Sequence, residues 1–192
     1  MFPCGHPWRR LSDFCFSSGQ WIDTFHAQRG VFTRDEARLL ANWACLENSQ
    51  GDLDTELNED WLTGNPEEKV CQLEVSKYLR HQLLRDSDVF SMANGLELRT
   101  PLVDSRLGEA LVRIPPEVRL RPGKDLLLEA FPEIPSWVRE RAKRGFQFPF
   151  QQWMQDGFSG VLEEAEEASP VQLGRWYREW AVTVLLRTLD IY

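Results

Sequence analysis

The chain has 192 residues, 30 acidic and 22 basic side chains, and a formal net charge of −8. Apolar residues make up 42% and aromatics 11%, with eight Trp, a composition that excludes a disordered chain and suffices for a packed core. The acidic balance argues against a general nucleic-acid or anionic-membrane binder.

The first thirty residues mix Pro3, Gly5, Pro7, Ser17, Ser18, Gly19 and Gly30 with aromatics and do not begin like a self-contained domain. Thr33 and Glu36 then fit a capping box, in which each side chain satisfies the other's free backbone donor. Leu39, Leu40, Trp43 and Ala44 follow at helical spacing.

Between Cys45 and Lys69 stand eight acids and no Lys or Arg, so the other 22 acids balance the 22 bases. This segment, 46–68, holds the whole charge excess and reads as a solvated loop or short helix. Its carboxylates lack the D-x-D-x-D-G spacing of a calcium loop. Pro66 suits a first helical turn. Cys71, Val75, Tyr78, Leu79 and Leu83 make one apolar helix face reaching about Arg85.

Strand signal is confined to short pieces such as Leu96 to Thr100. Further brief helices are predicted at Leu107 to Val112, ahead of Pro115-Pro116, at Lys124 to Phe131 and at Ser136 to Lys143. Leu173, Trp176, Tyr177, Trp180 and Val184 recur at three- and four-residue steps, which predicts a long helix with this stripe in the core. Glu163, Glu164, Glu166 and Glu167 read as a wet helix face. The expected organisation is a helical/loop region over 1–70 and a motif-bearing helical region over 71–192, together one domain fragment.

Cys4, Cys15, Cys45 and Cys71 show no C-x-x-C, His6, His26 and His81 are isolated, and no 18-residue apolar run is present. These features predict reduced thiols, a cytoplasmic protein, no membrane span and no metal site within the chain.

The segment Leu83 to Asp104 reads LLRDSDVFSMANGLELRTPLVD. The blocks that follow are the double proline at Pro115-Pro116, G-K-x-x-L at Gly123 to Leu127, and K-x-G-F at Lys143 to Phe146. Together with S-M-A-x-G-L-E-x-R-x-P-x-x-D at Ser91 to Asp104, this ordered set resembles the asparagine synthase family, in the C-terminal half of its synthetase domain. The implied fold is mainly α: the helical half of an adenine-nucleotide-hydrolase-like α/β domain, with little or no sheet here.

The resemblance implies ATP- and Mg²⁺-dependent amide formation, in which a carboxylate is adenylated and glutamine-derived ammonia displaces AMP. It carries Lys143 over as the lysine above the adenylate and Lys124 as a second lysine near the substrate. Glu97 is a candidate catalytic side chain and Arg99 a candidate substrate contact, although such a pair serves equally as a structural ion bridge. Asp104 reads as a helix cap.

The family's S-G-G-x-D-S loop and its G-E/D-G-x-D-E loop are absent from the sequence. The expectation is a chain inactive alone, binding no cofactor tightly and needing the nucleotide-binding half and a glutaminase domain, in the same chain or another. Self-association is expected through the apolar face left open. Asp86 and Leu128 stand where the family often has cations, so the acceptor is either aspartate or another small carboxylate. The alternative is a non-catalytic binding or scaffold module.

Overall fold

The computed structural model describes residues 11–12, 14–15, 19–45, 58–142 and 149–189. Its helices in chain order are α1 (Trp21–Arg29), α2 (Arg34–Trp43), α3 (Pro66–Leu73), a π-helical segment (Glu74–Leu84) and α4 (Arg85–Ala93). A 3₁₀ turn (Pro101–Val103) leads to α5 (Ser105–Val112), α6 (Pro116–Arg119), α7 (Asp125–Ala130), α8 (Ser136–Arg139), α9 (Phe150–Ala168) and α10 (Trp176–Leu189). The fold is mainly α, and no strand occurs among the described residues. Leu96 to Thr100 is irregular backbone rather than strand, and no second segment among the described residues offers it a ladder partner.

The chain divides into two units, one of residues 1–59 and 146–192, the other of residues 60–145. The first unit holds the better core. Leu40 of α2 packs with Ala165 of α9, Val171, Leu173, and Val182 and Leu186 of α10, with Phe32 and Trp43 against them. The capping box forms as the sequence predicts: Glu36 N–H donates to Thr33 Oγ1 at 3.3 Å and Thr33 N–H to Glu36 Oε2 at 3.0 Å. α1 lacks a side-chain cap at Gln20. Instead Glu59 Oε1 accepts from the amide of fully buried Ile22 at 2.6 Å. A carboxylate there also suits the positive end of the helix dipole.

α1 ends at Gly30, where the chain turns extended with ψ 144° and leaves no room for a side chain. A Cβ on Gly30 would lie 2.7 Å from the His26 carbonyl oxygen and 2.9 Å from that of Phe32. The reversal brings Arg34 to buried Asp23, with Nη1 3.0 and 3.2 Å from the two carboxylate oxygens. α9 is broken at Phe158, where φ is −137° and ψ 16°.

One expectation fails in α10. The stripe Trp176, Tyr177, Trp180 and Val184 is not the core face. Trp180 and Val184 are exposed, whereas Val182 and Leu186 are each 1% exposed. Apolar residues occupy two sides of this helix, so periodicity alone could not choose the inner one. The outer rings instead pair with α9: Phe150 stacks on Trp176 at 5.0 Å and Phe158 meets Trp180 edge-on at 5.7 Å.

In the second unit, Asn65 caps α3. Glu68 N–H donates to Asn65 Oδ1 at 2.9 Å, and Asn65 N–H to Glu68 Oε2 at 3.1 Å. Pro66 takes the first helical position, where its missing N–H costs nothing. Glu68 spends its other oxygen on Arg119, whose Nε donates to the Ile114 carbonyl at 3.2 Å. The start of α3 is thereby tied to the double-proline turn. Gly64 has φ +88°, and an added Cβ would land on the Glu68 carboxylate.

The helix beginning at Pro66 does not stop near Arg85. It passes through the π-helical segment and continues as α4 to Ala93. Leu62 and Leu73 are the buried hydrophobic residues of this unit among those described. Every apolar side chain of α4 is exposed.

Candidate functional site

The described motif residues lie in the second unit, on a surface rich in exposed apolar groups. Asn94 and Gly95 end α4. The Gly95 amide donates to the Met92 carbonyl at 3.0 Å, and Gly95 takes φ +68°, a conformation glycine adopts without a Cβ penalty. The Leu96 amide returns to the Ser91 carbonyl at 2.9 Å, and Asn94 Nδ2 donates to the Phe90 carbonyl at 2.8 Å. This local closure throws residues 96–100 out as exposed chain. Phe90, Met92, Leu96, Leu98 and Leu102 are all more than half exposed.

Glu97 and Arg99 sit in that chain and meet each other, Arg99 Nη2 to Glu97 Oε1 at 2.7 Å. Both side chains are wet, 72% and 82% exposed respectively, so water screens the pair. Asp104 caps α5, accepting from the Arg106 amide at 2.8 Å, as its position predicts.

Lys124 occupies the N-cap position of α7, directly after Gly123 with φ +76°. Its carbonyl accepts from the Leu128 amide at 2.9 Å, and its side chain is exposed. The Lys124 turn is bracketed by a fork that sequence reasoning missed. Arg121 Nη1 and Nη2 donate to the two oxygens of Glu129 at 2.9 and 2.6 Å. Arg121 Nε also donates to the Val118 carbonyl at 3.2 Å. The hydrogen bond from Arg121 holds the Glu129 carboxyl below its ordinary range, and the same bond raises the guanidinium. The available signal was an Arg and a Glu flanking a Pro-Gly turn.

Glu97 and Arg99 are therefore brought together, and Lys124 forms no ion pair with either. Lys143 lies outside the described residues, as does most of the acidic segment. No group of three His, Cys, Asp or Glu side chains among the described residues could hold a metal ion. No described helix is long and apolar enough to cross a membrane.

The asparagine synthase family model matches residues 4–190. The chain belongs to the asparagine synthase family. It is 33% identical over 105 residues to glutamine-hydrolysing asparagine synthetase 1 of Bacillus subtilis (strain 168), covering 51% of this chain and 17% of that protein. It is 30% identical over 96 residues to a provisionally named glutamine-hydrolysing asparagine synthetase of Mycobacterium tuberculosis (strain ATCC 25618 / H37Rv), covering 48% of this chain and 15% of the relative. The same figures hold for a Mycobacterium bovis protein of that name. The aligned region thus spans about a sixth of these relatives. No solved structure matches the chain.

Proposed function

We propose that this chain is the helical part of an ATP-dependent, amide-forming ligase and acts only when joined to a nucleotide-binding half. Such an enzyme adenylates a carboxylate: a carboxylate oxygen attacks the α-phosphorus of ATP and pyrophosphate leaves. Ammonia, released from glutamine by a glutaminase domain, then attacks the acyl carbon and AMP departs. Lys143 and Lys124 would face the negative charge that develops in these steps. Glu97 and Arg99 would exchange their mutual contact for a reacting carboxylate and its neighbours.

The observation that carries this reading is the exposed apolar surface around Ser91 to Asp104, where the family motif lies. Patches of this kind mark surfaces that are covered in a working assembly. A nucleotide-binding half is the occupant that the family match favours. Mg²⁺ and the ATP phosphates would be held by that half, because the family's S-G-G-x-D-S loop does not occur in this sequence.

The acceptor is a small carboxylate. Leu128, one helical turn after Lys124, favours an acceptor other than free aspartate, because an aliphatic side chain at this point supplies no counter-charge for a second carboxylate.

The test is ATP–pyrophosphate exchange with the purified chain, alone and co-expressed with the nucleotide-binding half of a family member. The expected result is no exchange alone and exchange in the joint preparation, with aspartate compared against other carboxylic acids. Exchange by the isolated chain would sink the division of labour proposed here. Complex formation without exchange for any acid would favour the scaffold reading.

A further inference from the structure

Between α3 and α4 the helix changes its winding for eleven residues, Glu74–Leu84. π-helical winding is rare and normally lasts a single turn. Its two flanks are held very differently. Upstream, α3 is fixed by the Asn65 capping box, by the Glu68–Arg119 pair and by Leu73, which is 1% exposed. Downstream, no residue of the π-helical segment or of α4 is buried. At the junction the Arg85 amide donates to the Gln82 carbonyl, three residues back, where the wide winding tightens again.

We infer that Glu74–Leu84 is a conformational screw, which rewinds between π and α winding and so turns α4 about its axis relative to α3. No fully buried side chain has to move for this, because Leu73 is the last buried residue on this helix. α winding advances 1.5 Å per residue and packs fewer residues into each turn than π winding. Rewinding therefore lengthens the segment and rotates everything after it. The load carried by the screw is Phe90 and Met92, together with the Ser91–Gly95 closure that aims residues 96–100. The winding thereby sets which side of α4 the motif surface presents. This holds whether or not the chain takes part in amide formation.

The experiment is a spin-label distance measurement on the full chain, with Cys4, Cys15, Cys45 and Cys71 replaced by Ser and labels at Glu67→Cys and Asp88→Cys. An unbroken α-helix would place these positions roughly 32 Å apart along the axis. The expected result is two distances, a shorter one and one near that α value. The Val75→Ala/Ser76→Ala variant, which favours α winding, should shift the population toward the longer. A single α-like distance would overturn the inference, as would a single shorter distance unmoved by the alanines. Hydrogen exchange of the unsubstituted chain gives an independent check. Amides of residues 74–84 should exchange faster than those of 66–73, and equal protection would also overturn it.

Discussion

Arg178 of α10 donates to Glu36 of α2, Nη2 to Oε1 at 2.8 Å, and the two residues are 142 positions apart in the chain. The arginine is 3% exposed. It also donates to the carbonyls of Gln172 and Val31, at 3.0 and 3.4 Å, and its guanidinium lies 4.5 Å over the Phe32 ring. Glu36 meanwhile caps α2 with its other oxygen. One carboxylate thus closes a helix and neutralises a buried cation.

Breaking this pair should be costly. Glu36→Gln and Arg178→Met should each lower stability, by about 3–5 kcal/mol where a charge is left buried and unpaired. Chemical denaturation of the two single variants and of the double variant measures it. The double variant should lose less than the sum of the singles, and strict additivity would show that the charges are not coupled.

Gly64→Ala should destabilise α3. The left-handed backbone alone costs about 1–2 kcal/mol for a residue with a Cβ, and the new methyl displaces the Glu68 carboxylate from both Asn65 and Arg119. Thermal unfolding followed by helical circular dichroism should show the loss. Gly174→Ala, which meets the backbone penalty with no atom within 4 Å of its Cβ, should cost less.

Glu179 gives a pH signature. Burial raises its carboxyl above the ordinary value, and the nearby Glu166 charge raises it further. The sign follows from linkage. A carboxyl with a raised folded-state pKa adds stability below its unfolded pKa, and that stability is lost as pH rises through the folded one. Glu179→Gln should therefore gain up to about 0.5 kcal/mol at neutral pH. Denaturation midpoints across pH 4 to 7 should fall more steeply for the parent than for this variant. Glu129 has the opposite sign, its contribution being present above its unfolded pKa and lost as pH falls.

Lys124→Ala should leave folding within about 0.5 kcal/mol, since its side chain is exposed. In the jointly expressed enzyme it should reduce pyrophosphate exchange by roughly 10²-fold, the scale of losing one charge-stabilising group. Undiminished exchange would remove Lys124 from the site.

Much of the helical framework was legible because its signals are local. The Thr33–Glu36 box, Pro66 at a helix start and the Asp104 cap each need only a few neighbouring residues. The motif residues were legible as a resemblance, not as geometry. What sequence could not give was long-range choice. The α10 stripe was misplaced because aromatic and aliphatic residues populate two sides of the helix, and tertiary contacts with Leu40 and Ala165 select the inner one. Leu96 to Thr100 has a strand-like alternation but no ladder. The buried arginine was hidden among aromatics in WYREW, beside a second charge at Glu179, and its partner Glu36 lies 142 positions away.

The Arg178–Glu36 pair also sets an order of events during synthesis. α2 leaves the ribosome long before α10 exists, so Glu36 and the apolar side of Leu40 must wait through the whole intervening chain. Contacts of such sequence separation form slowly and leave early segments open to aggregation. The first unit is thus a closure made last, and a nascent chain halted before Arg175 would release α2 without the helix that covers it.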